Sequence, residues 1–84
     1  MIQQQYKVDF LNYVTNGSVK SDCADITFIN QGTSTVVVNN AIWLLSGQSV
    51  SITANAGEID TTTYNFYFDG VGTNKLIVVR KIYI

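Results

Sequence analysis

Six short turn-forming segments divide this chain into brief runs of strand-forming residues. The turns fall at Asn16-Gly17, Gln31-Gly32, Asn39-Asn40, Ser46-Gly47-Gln48, Asn55-Ala56-Gly57 and Asp69-Gly70-Val71-Gly72. The runs between them are rich in Val, Ile, Thr and aromatic residues, and none shows the i, i+3, i+4, i+7 apolar pattern of a helix. Turns at such spacing are typical of an all-β domain built from short antiparallel strands.

Apolar and polar residues alternate in several of these runs. Residues 49–54 and 61–69 alternate most regularly, which predicts one buried and one solvated face for each strand. The expected inward side chains are Val50, Ile52, Ala54, Tyr64, Phe66 and Phe68. Asn16-Gly17 fits a type I′ hairpin turn, and Asn39-Asn40 fits a second tight hairpin. We expect one domain, residues 1–84, folded as a small antiparallel β-sandwich or jelly-roll-like domain of about eight strands.

The last expected strand, residues 75–84, is apolar on both faces. One face carries Leu76, Val78, Ile82 and Ile84, and the other carries Ile77, Val79 and Tyr83. Either the strand is central and covered on both sides, or one face meets another subunit. Ile77, Val79 and Tyr83 are therefore candidate protein-contact residues. Tyr67, which falls on a polar face, is a fourth candidate, whereas Trp43 is expected to fill the core or an interface.

The size of the chain favours self-association. A core of 84 residues is marginal, and small domains commonly gain stability from disulfides, metals or oligomerisation. The single cysteine, Cys23, excludes an internal disulfide, and no Cys/His zinc pattern is present. We therefore expect a homo-oligomer, a dimer or a trimer, or docking on a partner.

Residue types that carry chemistry are scarce. The chain has no histidine, so a Ser–His–Asp or Cys–His arrangement cannot form within it. Cys23 lies between Asp22 and Asp25, whose charges disfavour a thiolate. Asp22 with Asp25, or Glu58 with Asp60, could offer oxygens to calcium, but no EF-hand spacing is present. We expect no enzyme activity, no catalytic, cofactor-binding or metal-binding residues, and no cofactor.

Charge and hydropathy bear on the class of partner. Charged residues make up 13% of the chain, and Asn, Gln, Ser and Thr together make up a third of it. Charge is also depleted in the cores of protein interfaces. A net charge of −1 argues against nucleic-acid binding. The longest apolar run, 41–45, is too short to span a membrane, and residues 1–5 lack the features of a secretory signal.

The segment from Asp25 to Phe68 resembles small all-β virion proteins of tailed phages. It runs from Ile26-Thr27-Phe28-Ile29-Asn30-Gln31-Gly32-Thr33 through Trp43-Leu44-Leu45-Ser46-Gly47-Gln48-Ser49 and Asn55-Ala56-Gly57-Glu58-Ile59-Asp60 to Tyr64-Asn65-Phe66-Tyr67-Phe68. The cadence of strands and turns is similar to that of auxiliary or decoration proteins on the heads of phages that infect Bacteroidetes. The resemblance implies a role and transfers no site residues.

Together these features predict a non-enzymatic structural virion protein. It is expected to be made in the host cytoplasm and to decorate or cement a bacteriophage capsid, with the major capsid protein as its partner. The alternative is a carbohydrate- or surface-binding adhesion module, for which exposed aromatic side chains would be the contacts.

Overall fold

The computed structural model describes residues 4–84, all of whose regular elements are β-strands. Met1 to Gln3, which belong to the segment screened for a secretory signal, lie outside the described residues. The strands are β1 (Tyr6–Tyr13), β2 (Gly17–Lys20), β3 (Asp25–Asn30), β4 (Val36–Val38), β5 (Ile42–Leu44), β6 (Ser49–Ile52), β7 (Thr63–Phe68) and β8 (Leu76–Tyr83). The predicted all-β class and the strand number are confirmed.

The strands form two four-stranded antiparallel sheets. Sheet A has the order β1-β8-β3-β6 and sheet B the order β2-β7-β4-β5. First and last strands pair, as do second and seventh, third and sixth, and fourth and fifth. This is the order obtained when one long hairpin of four strand pairs is rolled up so that successive pairs alternate between sheets. The sandwich is therefore a jelly roll of eight strands.

Side chains from both sheets fill a single core. Phe28 and Val78 of sheet A meet Tyr64, Phe66 and Phe68 of sheet B there, with the rings of Phe28 and Tyr64 5.2 Å apart and edge-on. The alternation in β7 thus places Tyr64, Phe66 and Phe68 inward, as the sequence predicts. Val50 and Ile52 also point inward, but they are only partly buried because β6 is an edge strand.

One of the two predicted hairpin turns is present and the other is not. Asn39 and Asn40 both have positive φ, 52° and 54°, and join β4 to β5 as a type I′ turn does. Asn16-Gly17 was expected to make the same turn, and that expectation is wrong. The strands on either side, β1 and β2, belong to different sheets, and neither residue has a positive φ.

Arg80 ties the two sheets together at one end of the sandwich. Its Nε and Nη2 atoms donate to the Asp9 carboxylate at 3.1 and 2.6 Å, and Nη1 donates to the main-chain oxygens of Lys20 and Ser21. Asp9 and Arg80 face each other across β1 and β8 of sheet A, whereas Lys20 ends β2 of sheet B. A single guanidinium therefore uses its planar set of donors to join three segments.

Candidate interaction surfaces

The outer side of sheet A carries a group of exposed and half-buried apolar side chains that the strand register brings together. We call this set the apolar face: Tyr6, Val8, Phe10, Ile29, Ile77, Val79 and Tyr83. Strand β8 is central in sheet A. Its inner side chains pack on sheet B, while its outer side chains are half-buried among those of β1 and β3. The strand is therefore central, but the second sheet covers only its inner face; that its outer face meets another subunit stays a prediction.

The register makes the apolar face continuous. Phe10 lies opposite Val79, and Tyr6 lies opposite Tyr83. On the other flank of β8, Ile77 lies opposite Ile29. Phe10 is 71% exposed, which is unusual for a phenylalanine in a regular strand. Contiguous exposed apolar side chains of this kind mark interaction sites on soluble proteins.

Charge on this side of sheet A is confined to one row. Lys81 lies between Val8 and Asp25 in the register, and its Nζ sits 4.7 Å from the centre of the Tyr6 ring. The Tyr83 hydroxyl accepts a hydrogen bond from the Gly57 N–H at 3.0 Å. The β6–β7 loop therefore fixes the Tyr83 hydroxyl, and its ring stays on the outer side of sheet A.

Tyr67 lies on the opposite side of the molecule from the other three candidates. It projects from the outer side of sheet B, in register with Val37, which in turn faces Trp43. Trp43 is 64% exposed and Tyr67 39%, whereas Val37 between them is only 1% exposed. Of the two places expected for Trp43, the core is thus wrong, because β5 points Ile42 and Leu44 inward and its middle residue outward; an interface stays a prediction.

A shallow depression of about 470 Å³ lies beside Tyr67. It is lined by Asn39, Asn40, Thr63, Asn65, Phe66 and Tyr67. The Asn39 side-chain oxygen accepts a hydrogen bond from the Asn65 N–H at 2.7 Å, which fixes the hairpin tip against β7. The depression is therefore walled by amide and hydroxyl groups next to a tyrosine ring. We call Trp43, Tyr67 and the Asn residues of this depression the amide face.

The ionisable side chains near Cys23 form a structural lock. The Tyr64 hydroxyl donates to the Asp60 carboxylate at 2.6 Å, and the Thr62 N–H donates to the same carboxylate at 2.8 Å. Cys23 and Asp60 also exchange main-chain hydrogen bonds. These contacts pin the β6–β7 loop to the β2–β3 connection, so the residues already serve the fold.

In this lock the pKa values of the thiol and the phenol are raised and that of the carboxylate is lowered. The thiol and the phenol are therefore neutral, and the carboxylate is ionised, at neutral pH. Burial raises the pKa of the Cys23 thiol to about 11, with Arg80 opposing and Asp60 reinforcing the shift. Burial, together with the hydrogen bond to Asp60, raises the pKa of Tyr64 to about 12. Burial alone would raise the pKa of Asp60, but the hydrogen bonds from Tyr64 and Thr62 lower it below its usual value. Cys23 is therefore a protonated, buried thiol at neutral pH.

The carboxylates considered for calcium serve local main-chain contacts. Asp25 accepts from the Ala54 N–H, and Glu58 accepts from the Asn55 N–H. Asp22 has a positive φ of 41° and forms an exposed ion pair with Lys20 at 3.7 Å. Within residues 4–84, no three His, Cys, Asp or Glu side chains come together as a metal site would require. Nor does this part of the chain contain a helix long and apolar enough to cross a membrane.

Sequence reasoning missed the contribution of β1 to the apolar face. Tyr6, Val8 and Phe10 fall on one side of the strand by their even spacing, a signal present in the sequence. The other side carries Lys7, Asp9, Leu11 and Tyr13, so neither face was clearly the buried one. The pairing of Asp9 with Arg80 decides the matter, because it allows a carboxylate to point inward.

Comparison of the chain with protein-family models, with curated proteins and with solved structures finds no match in any of the three.

Proposed function

We propose that this protein is a non-enzymatic structural subunit that decorates or cements the head of a tailed phage. Its apolar face packs against the major capsid protein, and the observation that carries the proposal is the continuity of that face across β1, β8 and β3. A solvent-facing sheet normally carries polar residues on its outer side. Here that side carries Phe10, Val79 and Ile77 in neighbouring positions.

The composition of the face supports a protein partner. Interface cores are depleted in charge and enriched in aromatic residues. The apolar face has two tyrosines and a phenylalanine, with charge restricted to the row of Lys81 and Asp25. The Thr27 and Ser51 hydroxyls, 2.9 Å apart, continue this side of the sheet as an uncharged, hydrogen-bonding margin.

The topology is compatible with the same role. Jelly rolls occur in viral capsid proteins and in lectins, so the fold alone leaves both a structural and a sugar-binding role open. The segment of residues 25–68 resembles phage head proteins, and this resemblance favours the structural role. The lock around Cys23 and Asp60, in which the Tyr64 hydroxyl and the Asp60 carboxylate already have structural partners, favours a role without catalysis.

Binding to assembled heads tests the proposal directly. Phage heads are purified on a density gradient from a bacterial culture that carries the coding sequence. The purified protein is then mixed with these heads, and the fraction that sediments with them is measured. We expect saturable binding by the wild-type protein. We expect Val79→Asp to weaken binding at least tenfold, because it places a charge at the centre of the apolar face.

Ser18→Asp provides the matched control, since it adds the same charge to an exposed position of an edge strand of sheet B, away from the apolar face. It should bind heads as the wild-type protein does, and circular dichroism should show both variants folded. Equal binding by Val79→Asp and the wild type would reject the apolar face as the docking surface. Absence of wild-type binding to heads would reject the structural role.

The amide face supports a second candidate function, a carbohydrate-binding adhesion module. Flat aromatic rings stack on the apolar faces of sugar rings, and amide groups hydrogen-bond to sugar hydroxyls. Trp43 and Tyr67 supply the rings, and Asn40 and Asn65 line the adjacent depression. Trp43 is the only tryptophan of the chain, so its fluorescence reports binding at this face without a label.

Titration with a panel of soluble oligosaccharides separates the two functions. A saturable change in Trp43 fluorescence that is lost in Tyr67→Ala, from a protein that does not sediment with heads, would favour the adhesion module. An unchanged spectrum, with binding to heads intact, would favour the structural role.

A further inference from the structure

Strand β1 is a long sheet edge with one side unpaired. Among the described residues its main chain pairs with β8 alone, and its eight residues are twice the length of β2 or β6 and more than twice that of β5, the other three edge strands. Long apolar edges are templates for pairing with another strand, and proteins that stay monomeric usually shorten or charge them. The outward side chains of β1 include Tyr6, Val8 and Phe10, and its only charges are the opposite pair Lys7 and Asp9, of which Asp9 is bound by Arg80.

The hydrogen-bond pattern fixes which main-chain groups face the open side. Gln5 is opposite Ile84 in the register, and its carbonyl accepts a hydrogen bond from the Ile84 N–H at 3.0 Å. In an antiparallel pair, hydrogen-bonded and non-bonded positions alternate. Odd-numbered residues of β1 therefore bond to β8, and the N–H and C=O groups of Tyr6, Val8 and Phe10 point away from the sheet.

We infer that β1 pairs antiparallel with β1 of a second copy of this chain, about a two-fold axis at Val8. In this register Val8 faces Val8, and Tyr6 faces Phe10 of the second copy. Each facing pair exchanges two main-chain hydrogen bonds, using the free groups identified above. The two copies then share one continuous sheet, and the two apolar faces join into a surface twice as wide. A two-fold contact of this kind uses the same patch on both subunits.

The charges of Lys7 and Asp9 favour the register with its axis at residue 8 over the registers with axes at residues 7 and 9. With the axis at Val8, Lys7 faces Asp9 of the second copy at the non-bonded positions, where side chains approach most closely. Moving the axis to residue 7 would place Lys7 against Lys7, and moving it to residue 9 would place Asp9 against Asp9. Both shifts oppose like charges, which destabilises a cross-strand pair. The Val8 register also pairs an aromatic residue with an aromatic residue, a favourable cross-strand combination.

Variants with one cysteine added along the open edge test both the pairing of β1 with its copy and the register of that pairing. Only a residue on the axis meets its own copy, so Val8→Cys should form a disulfide-linked dimer under mild oxidation, with facing Cα atoms about 5.5 Å apart. Asn12→Cys lies on the same side of the same strand. In this register, however, the two Asn12 positions are eight residues apart along the paired strands, roughly 27 Å, and should not cross-link. The native Cys23 is buried and should stay unlinked.

Proline variants test the main-chain contribution. Val8→Pro removes an N–H that points to the open edge, a position at which an edge strand tolerates proline. We expect this variant to sediment as a folded monomer, while the wild-type protein sediments as a dimer at micromolar concentration. Ser51→Pro removes an equivalent open-edge N–H from β6, because Asn30 and Gln48 form the hydrogen-bonded pair of that ladder. It should remain dimeric.

Three outcomes would overturn the inference: a monomeric wild-type protein, a dimer that Val8→Cys does not cross-link, or a dimer dissolved equally by both proline variants. Should Val8→Pro fail to fold, the cysteine variants alone decide. The inference rests on strand geometry and not on the proposed function. A dimer that ignores phage heads would leave it standing and reject only the structural role.

Discussion

At the scale of single residues, Asn30 organises one end of the sandwich. It has no exposed surface, and its side-chain nitrogen donates to the main-chain oxygens of Ser34 and Leu44 at 2.7 and 2.9 Å. Its side-chain oxygen accepts from the Gly32 N–H. One buried amide thereby bonds to main-chain groups of the β3–β4 loop and of the end of β5, and a buried polar group left without a partner costs about 1–3 kcal/mol.

Tyr64→Phe should flatten the pH dependence of stability at both ends. The pKa of Tyr64 is raised from 10.0 to about 12. The stability that its protonated hydroxyl adds to the fold is therefore present below pH 10 and is lost as the pH rises towards 12. The pKa of Asp60 is lowered from 3.8. The stability that its ionised carboxylate adds to the fold is therefore present above that value and is lost in acid. Losing a hydrogen bond to a charged group should cost about 1.5–3 kcal/mol at pH 7. Urea unfolding of both proteins from pH 3 to pH 11 measures this.

Tyr67→Phe is the control, because it removes a hydroxyl from the outer side of the same strand. Its stability should stay within about 0.5 kcal/mol of the wild type across the range. If the Tyr64→Phe profile instead ran parallel to that of the wild type in acid, the hydrogen bond from Tyr64 would not be what lowers the pKa of Asp60.

At the scale of elements, main-chain hydrogen bonds join the loop between β3 and β4 to the loop between β7 and β8. The Gly32, Thr33 and Ser34 N–H groups donate to carbonyl oxygens of Thr73 and Lys75. Gly32 is buried in this contact. A Cβ atom there would collide with the Thr73 carbonyl and lie 2.7 Å from the Lys75 nitrogen. The glycine is required by the close approach of two loops, and not by the conformation of its own backbone.

Gly32→Ala should therefore lower the free energy of unfolding by about 1–3 kcal/mol, the usual cost of overpacking. Gly17→Ala is a matched exchange at a position where the new Cβ would lie 3.6 Å from the Phe66 ring, an ordinary contact. It should change stability by less than about 1 kcal/mol in the same urea titration. Equal effects of the two exchanges would mean that the loops can separate at little cost.

At the scale of the whole molecule, the rolled hairpin brings distant parts of the chain together. β1 pairs with β8, more than sixty residues away in the chain, and Arg80 extends that pairing to sheet B through Lys20 and Ser21. The ion pair with Asp9 is partly exposed, so its strength comes from the geometry of the bidentate contact more than from charge alone.

Arg80→Lys should thus destabilise the protein although the charge is kept. A lysine has no planar fork and cannot hold the Asp9 carboxylate and two carbonyls together, so we expect a loss of about 1–2 kcal/mol in urea unfolding. Lys75→Arg, the reverse exchange in an exposed position, should stay within about 0.5 kcal/mol of the wild type. An unchanged Arg80→Lys protein would show that Arg80 acts only as a counter-charge for Asp9.

The sequence by itself determined the all-β class, the number of strands, the inward aromatic residues of β7 and the Asn39-Asn40 turn. These depend on period-two alternation and on the backbone freedom of particular residues, which are local properties. Only the tertiary structure decided that Asn16-Gly17 crosses between sheets, that Trp43 points outward, and that Tyr6, Val8 and Phe10 join Ile77 and Val79. Alternation shows that a strand has two faces, but which face is buried depends on strands far away in the chain. For β1 the answer rests on Arg80, 71 residues beyond Asp9, which lets a carboxylate turn inward and leaves the aromatic side in solvent.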